Sequence, residues 1–190
     1  MQDLKSKWIQ SELDEWTEFN AIQLQNTPFT TDTKGVLING FPKYAAPFLS
    51  FDLENYDCKF QTINAYYSGY TLNPKTKHYW FFGSDENGNP ICIDSNSNDK
   101  IILLDHEQEF EPIQTINNNV LELFACLLEY KHFIDLINSQ FGKDGFFDLK
   151  YTTKHVNELQ KKLERINLNI FEDSNFWRSE INLLFENIKA

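Results

Sequence analysis

The residues whose types could most readily do chemistry stand together at Asp105-His106-Glu107, an imidazole between two carboxylates that could act as a general base. Neighbours on an extended segment point to opposite faces, so these three do not converge on one substrate atom. The continuation through Glu109 is not a zinc-protease helix, because Phe110 stands where the second histidine belongs. The triplet reads as a turn that ends a strand over residues 101–104. Asp85, Asn87, Asn89 and Asp94 surround Gly88 in the manner of a calcium loop. No terminal bidentate carboxylate follows and Pro90 interrupts, so a hairpin turn is the better reading. Glu129-Tyr130-Lys131 with Asp105 could form a nuclease-like set, but that set needs a strand and these residues lie in the strongest helical period of the chain.

Metal and cofactor chemistry finds no pattern. His78, His106, His132 and His155 have no ligand spacing among themselves or with Cys58, Cys92 and Cys126, and there is no CxxC. A phosphate-binding glycine loop, a GxSxG elbow and a deaminase HxE with CxxC are all missing. The expectation is a non-enzymatic protein with no metal and no cofactor. An enzyme whose site is assembled from distant residues is the alternative that spacing leaves open.

Charge is the stronger signal. The 190 residues carry a net charge of −11, and residues 83–112 hold eight acids against the single base Lys100, which places −7 of that total on one short stretch. Residues 150–165 are net basic instead. An acidic chain of this kind is not expected to bind nucleic acid or an anionic membrane surface. The acidic stretch reads either as solvated loops that keep the protein soluble or as a face that steers a basic protein partner. On the second reading the contact candidates are Asp85, Glu86, Asp94, Asp105, Glu107 and Glu109, with Tyr66, Tyr70, Tyr79 and Trp80 as neighbouring anchors. Ordinary core packing is the competing reading for those aromatics, and the favoured one for Trp80.

The elements that must position these residues are legible to different degrees. Leu4, Trp8, Leu13, Trp16 and Phe19 fall near one face, which predicts an N-terminal helix. Thr27-Pro28 blocks its continuation. Residues 35–51 predict a loop and then a short strand at 47–51. Residues 52–77, rich in Tyr and Asn, show no sustained period and predict irregular structure or a short helix, with a turn at Asn73-Pro74. From His78 onward, strands at 78–82, 90–94 and 100–104 alternate with turns, Asn87-Gly88 the clearest, and residues 109–116 add a possible fourth strand. Asn119 with Glu122 predicts a capped start to a long helix that Gly142 and Gly145 end. Helices follow at 153–166 and from Asp173 or Ser174 onward. Strands flanked by helices predict one α+β domain over 1–190: a small antiparallel meander with an N-terminal helix and a C-terminal helical extension. Three cysteines without pairing spacing, no signal sequence and no apolar run of membrane length predict a cytoplasmic protein.

Four segments carry a family resemblance. GFPKYAAPFLSF (40–51) resembles the G-x-P…AP-x-LSF segment of the SUKH superfamily, and FFGSDENGNPICID (81–94) its G-S-D-x-x-G-x-P-x-x-I-D hairpin. KIILLDHEQEF (100–110) is similar to its strand ending in L-D-H-E, and INNNVLELFACLLEYKHF (116–133) to the helix that follows. The late FW-x-x-E of 176–180 also resembles the fourth SUKH immunity family. Asn118-Asn119 departs from the Ser pair common there, and residues 52–77 have no clear counterpart. The resemblance implies a SUKH fold and a bacterial immunity protein that binds and neutralises a cognate polymorphic toxin, often a nuclease or deaminase. A basic toxin would be its electrostatic complement. Some SUKH relatives are regulatory scaffolds, which is the alternative within the resemblance.

Overall fold

Hydrophobic spacing over residues 4–19 predicts one helix, but only its first part forms. In the computed structural model, which describes residues 3–53, 60–69 and 74–189, α1 spans Leu4–Trp8. Beyond it the Asp14 carboxylate accepts hydrogen bonds from the backbone N–H of Gln10 (2.9 Å) and Ser11 (2.8 Å). A side chain that offers the backbone local partners competes with the helical ladder. Leu13 is left 87% exposed, and the chain turns into β1 (Trp16–Thr17). Two helices that spacing did not reveal follow. α2 (Ala21–Gln25) is capped by Asn20, and α3 (Thr31–Leu37) by Thr30. β2 (Phe41–Pro42) then pairs antiparallel with β1.

The main sheet is a six-stranded antiparallel meander in simple chain order. β3 (Tyr44–Ala45) and β4 (Leu49–Ser50) form a small hairpin at one edge. After α4 (Ile63–Tyr66) and a 3₁₀ turn at Pro74–His78 come β5 (Tyr79–Ser84), β6 (Pro90–Asp94), β7 (Lys100–Asp105) and β8 (Glu111–Asn117). The strands expected from alternation thus form within two residues of their expected bounds, and the possible fourth is real. Gly83 lets β4 approach β5: a Cβ there would strike the Ser50 carbonyl.

Adjacent residues of a strand face opposite ways, and both faces of this sheet are covered. Phe82 packs among Phe41 and Phe51, both at 5.0 Å between centroids. Its neighbour Phe81 stacks on Tyr66 at 4.1 Å. Tyr66, from the stretch without a period, therefore covers part of the second face. The Phe81 N–H donates to the Gln61 carbonyl at 2.8 Å, and Thr62 bridges to Trp80, completing the free edge of β5. Sequence reading placed helices on one face and the edges, and every residue of β6 is instead buried.

α5 (Val120–Phe141), α6 (Thr153–Ile166), α7 (Ile170–Asp173) and α8 (Asn175–Lys189) form the C-terminal layer. α5 packs on β7 and β8 and carries α6; α7 and α8 close on β8. Asn119 caps α5 as expected, its side chain accepting from the Glu122 N–H at 2.8 Å. The Glu122 carboxylate reaches further back than a capping box requires and takes hydrogen bonds from Asn117 (3.0 Å) and Asn167 (3.2 Å). Asn117 in turn accepts from the buried Trp177 indole at 3.0 Å. This satisfied polar junction fixes β8, α5 and α8 relative to one another.

Candidate functional site

The acidic stretch folds into tight turns held by its own carboxylates. Asp85 Oδ1 accepts from the N–H of Asn87 (3.0 Å) and Asn89 (2.8 Å), and Gly88 takes a φ of +81°. This is the hairpin reading of residues 85–89, with the Asp85 carboxylate engaged in the turn itself. After β7, Asp105 Oδ1 accepts from Glu107 (2.8 Å) and Gln108 (3.2 Å), so the Asp-His-Glu triplet is the turn expected of it. The two turns are tied together where Asn89 Oδ1 meets His106 Nδ1 at 2.8 Å.

A meander places every second turn at the same end. Asp85, Glu86, Asp105, Glu107 and Glu109 accordingly share one end of the sheet. The Glu86, Glu107 and Glu109 side chains are exposed and make no hydrogen bond or ion pair with the described residues. Asp94 is the exception among the six contact candidates. It sits at the opposite end, 7% exposed, accepting from the Asn96 N–H at 3.0 Å and facing His78 Nε2 at 3.6 Å. Burial corrects its place: it braces a turn and is not part of the acidic face. Asp99, beside it in space, is likewise buried and accepts from the Thr30 N–H at 2.7 Å.

Of the aromatic candidates, Trp80 packs edge-on against Phe29 at 5.5 Å and Tyr66 lies on Phe81, both as core contacts. Tyr70 lies outside the described residues, as do Cys58 and Asn73. Glu129 pairs with Lys162 at 2.7 Å, and Lys131 with Asp14 and Asp135 at 3.3 and 3.0 Å, so the nuclease-like set is engaged elsewhere. Burial pushes the Cys92 thiol up and the Cys126 thiol up to about 12, which leaves both protonated and poorly nucleophilic. Among the described residues no three His, Cys, Asp or Glu side chains gather as metal ligands, and no helix is long and apolar enough to cross a membrane.

Next to the acidic end lies a feature that spacing did not reveal. A cleft of about 700 Å³ opens between the β3–β4 hairpin, the β5–β6 turn, α5, the loop before α6, and α8. Its wall is apolar, with Pro47, Phe146, Ile134 and Leu184, and its rim exposes Phe48 (65%) and Phe147 (70%). Asp85, Glu86 and Glu180 supply its charge, and no Lys, Arg or His lines it among the described residues. Burial, and then the neighbouring Glu86, push the Glu180 carboxyl up to about 7. Burial also pushes up the Tyr130 hydroxyl, with Glu180 and Tyr151 adding to it. One sequence signal was available: Trp177 and Glu180 are three apart on α8, so an inward Trp177 turns Glu180 partly inward. A carboxyl poised near neutrality beside a carboxylate can hold a proton or receive a cation. No family model matches the chain, and no curated protein or solved structure matches it either.

Proposed function

We propose that the chain is a SUKH-type immunity protein of a bacterial polymorphic toxin system, acting in the cytoplasm by binding and neutralising a cognate basic toxin, a nuclease or a deaminase. The observation that carries this reading is the acidic end of the sheet, where two linked turns present Glu86, Glu107 and Glu109 without compensating cations among the described residues. Turns braced by Asp85 and Asp105 hold these charges in a fixed arrangement, so little ordering is needed on binding. Nucleic-acid enzymes carry basic surfaces for a polyanionic substrate, and a preformed acidic surface competes for them. Occlusion by shape and charge needs no chemistry from the inhibitor.

The test is affinity capture of the tagged protein from its source cells grown in competition, followed by growth protection with the captured partner. A single basic chain, retained in stoichiometric amount, released as salt rises and toxic unless this protein is co-expressed, is the expected result. Retention of only signalling or metabolic proteins would point to a scaffold. Charge reversal at Glu86, Glu107 and Glu109 should lower the association rate roughly tenfold or more at low salt.

One observation favours a second reading. The cleft holds Glu180, whose carboxyl burial pushes up to about 7, next to the exposed Glu86, and a carboxyl raised toward neutrality is a group that general acid–base enzymes use. A hydrolytic activity abolished by Glu180→Gln would establish an enzyme and displace the immunity reading.

A further inference from the structure

The cleft beside α8 has the wrong shape for a solvated loop and the wrong charge for an unoccupied core defect. Its volume of about 700 Å³ is that of a ligand-sized pocket. Its floor is apolar, yet one end carries Asp85, Glu86 and Glu180. Asp85 is committed to its turn, whereas Glu180 and Glu86 have no hydrogen-bonding or ionic partner among the described residues. At the rim, Phe48 holds a φ of +51°, a backbone region unfavourable for a bulky residue, and its ring projects into solvent. Phe147 projects from the facing loop. An exposed aromatic rim round an open apolar cleft is the anatomy of a protein-binding hot spot rather than of a closed small-molecule cavity. The polar end joins the acidic end of the sheet directly, because Asp85 and Glu86 belong to both.

From these observations we infer that the cleft is a docking site for a protein segment in which a lysine or arginine stands next to a large apolar side chain. The apolar side chain fills the space between Phe48, Phe147 and Leu184, and the cation meets Glu180 and Glu86. This inference rests on the toxin-binding reading and assigns that reading its anchor, leaving the turns at Glu107 and Glu109 to steer approach. Charge chooses the occupant: three acidic side chains, with no lining base among the described residues, favour a cationic segment over an acidic one. Deprotonation of Glu180 near neutrality makes the site more anionic as pH rises, so affinity for a cationic segment rises from pH 6 to pH 8. The other titratable groups facing Glu180 are Asp85, Glu86 and the hydroxyls of Tyr44, Tyr130 and Tyr151.

A displayed library of random heptapeptides, panned on the full chain, tests this without knowledge of the toxin. The enriched peptides should pair Lys or Arg with Trp, Phe or Leu within three positions. Their affinity should fall about tenfold or more on Phe48→Ser, Phe147→Ser or Glu180→Gln and stay within about twofold on Glu107→Gln. The first two changes remove exposed rings, so folding is expected to persist, and circular dichroism and thermal melting check it. Enrichment without a base, binding indifferent to all three cleft variants, or no enrichment at all would overturn the inference. So would a concentration-dependent dimer lost on Phe48→Ser, which would make a second copy the occupant. A captured toxin insensitive to the cleft variants removes this inference and keeps the immunity reading; cleft-dependent peptides with no toxin do the reverse.

Discussion

Around Phe82 the rings of Phe41, Phe51, Phe60 and Phe19 close in at 5.0, 5.0, 6.3 and 6.4 Å between centroids. Around Phe147, in the loop before α6, side chains that are again mostly apolar leave about 700 Å³ open. Both regions are rich in apolar side chains, Phe above all, so apolar character alone does not explain the contrast. Phe82 is fixed on a strand paired on both sides, and the rings of Phe19, Phe41, Phe51 and Phe60 close over it from other segments. The cleft too is bounded by segments far apart in sequence, but it carries acidic side chains at one end that no lining cation neutralises among the described residues. Closing it would bury those charges further at a cost the apolar contacts do not offset.

The largest effect that tests this contrast is truncation of the two phenylalanines. Phe82→Ala should cost about 3–5 kcal/mol in chemical denaturation, whereas Phe147→Ala should stay within about 0.5 kcal/mol. Equal losses would mean that the cleft is closed in solution. Next comes the polar junction between sheet and helices. Trp177→Phe keeps most of the ring volume but leaves Asn117 Oδ1 without its donor. A loss of about 2–3 kcal/mol is expected, measured by thermal or urea unfolding. A smaller effect is expected at the β4–β5 approach. Gly83→Ala sets a methyl against the Ser50 carbonyl, and overpacking of this kind should cost about 1–3 kcal/mol. Amide exchange of residues 49–51 should accelerate in the same variant.

The smallest effect has a distinctive pH dependence. Glu180 in the folded protein titrates at about 7, above its ordinary value of 4.5. The folded state therefore holds a proton that the unfolded chain has released, and stability falls as pH rises from about 4.5 to 7. Glu180→Gln removes that fall. Allowing for the part of the carboxyl that still faces water, the variant should gain about 1 kcal/mol over the parent at pH 8 and nothing at pH 4. A flat difference across that range would remove Glu180 as the cleft's titrating group.

Much of the fold was legible for local reasons. Ile91, Ile93, Ile101 and Leu103 alternate, Asn87-Gly88 marks a turn, and Asn119 starts a helix, since alternation, turn chemistry and capping act within a few residues. β6 and α6 begin and end where the spacing places them. The N-terminal helix was over-read because hydrophobic spacing cannot show that Asp14 will satisfy the backbone of Gln10 and Ser11. Residues 60–69 had no period because they serve partly as an edge and partly as a cover over Phe81. Of the six acidic candidates, five came together because strand order alone puts their turns at one end. Asp94 and its five companions look alike in sequence, and which end of a strand a residue occupies, and which turn draws it inward, is a three-dimensional fact.

By itself, then, the sequence determined the α+β class, the meander, the long capped helix and the concentration of negative charge, all of which follow from interactions between near neighbours. The tertiary structure alone decided which carboxylates face solvent, how Glu180 comes to sit beside Glu86, and where an apolar cleft stays open. Those features join residues 44–50, 85–86, 130–134, 146–151 and 180–187, and no local pattern of residues encodes the distance between segments so far apart along the chain.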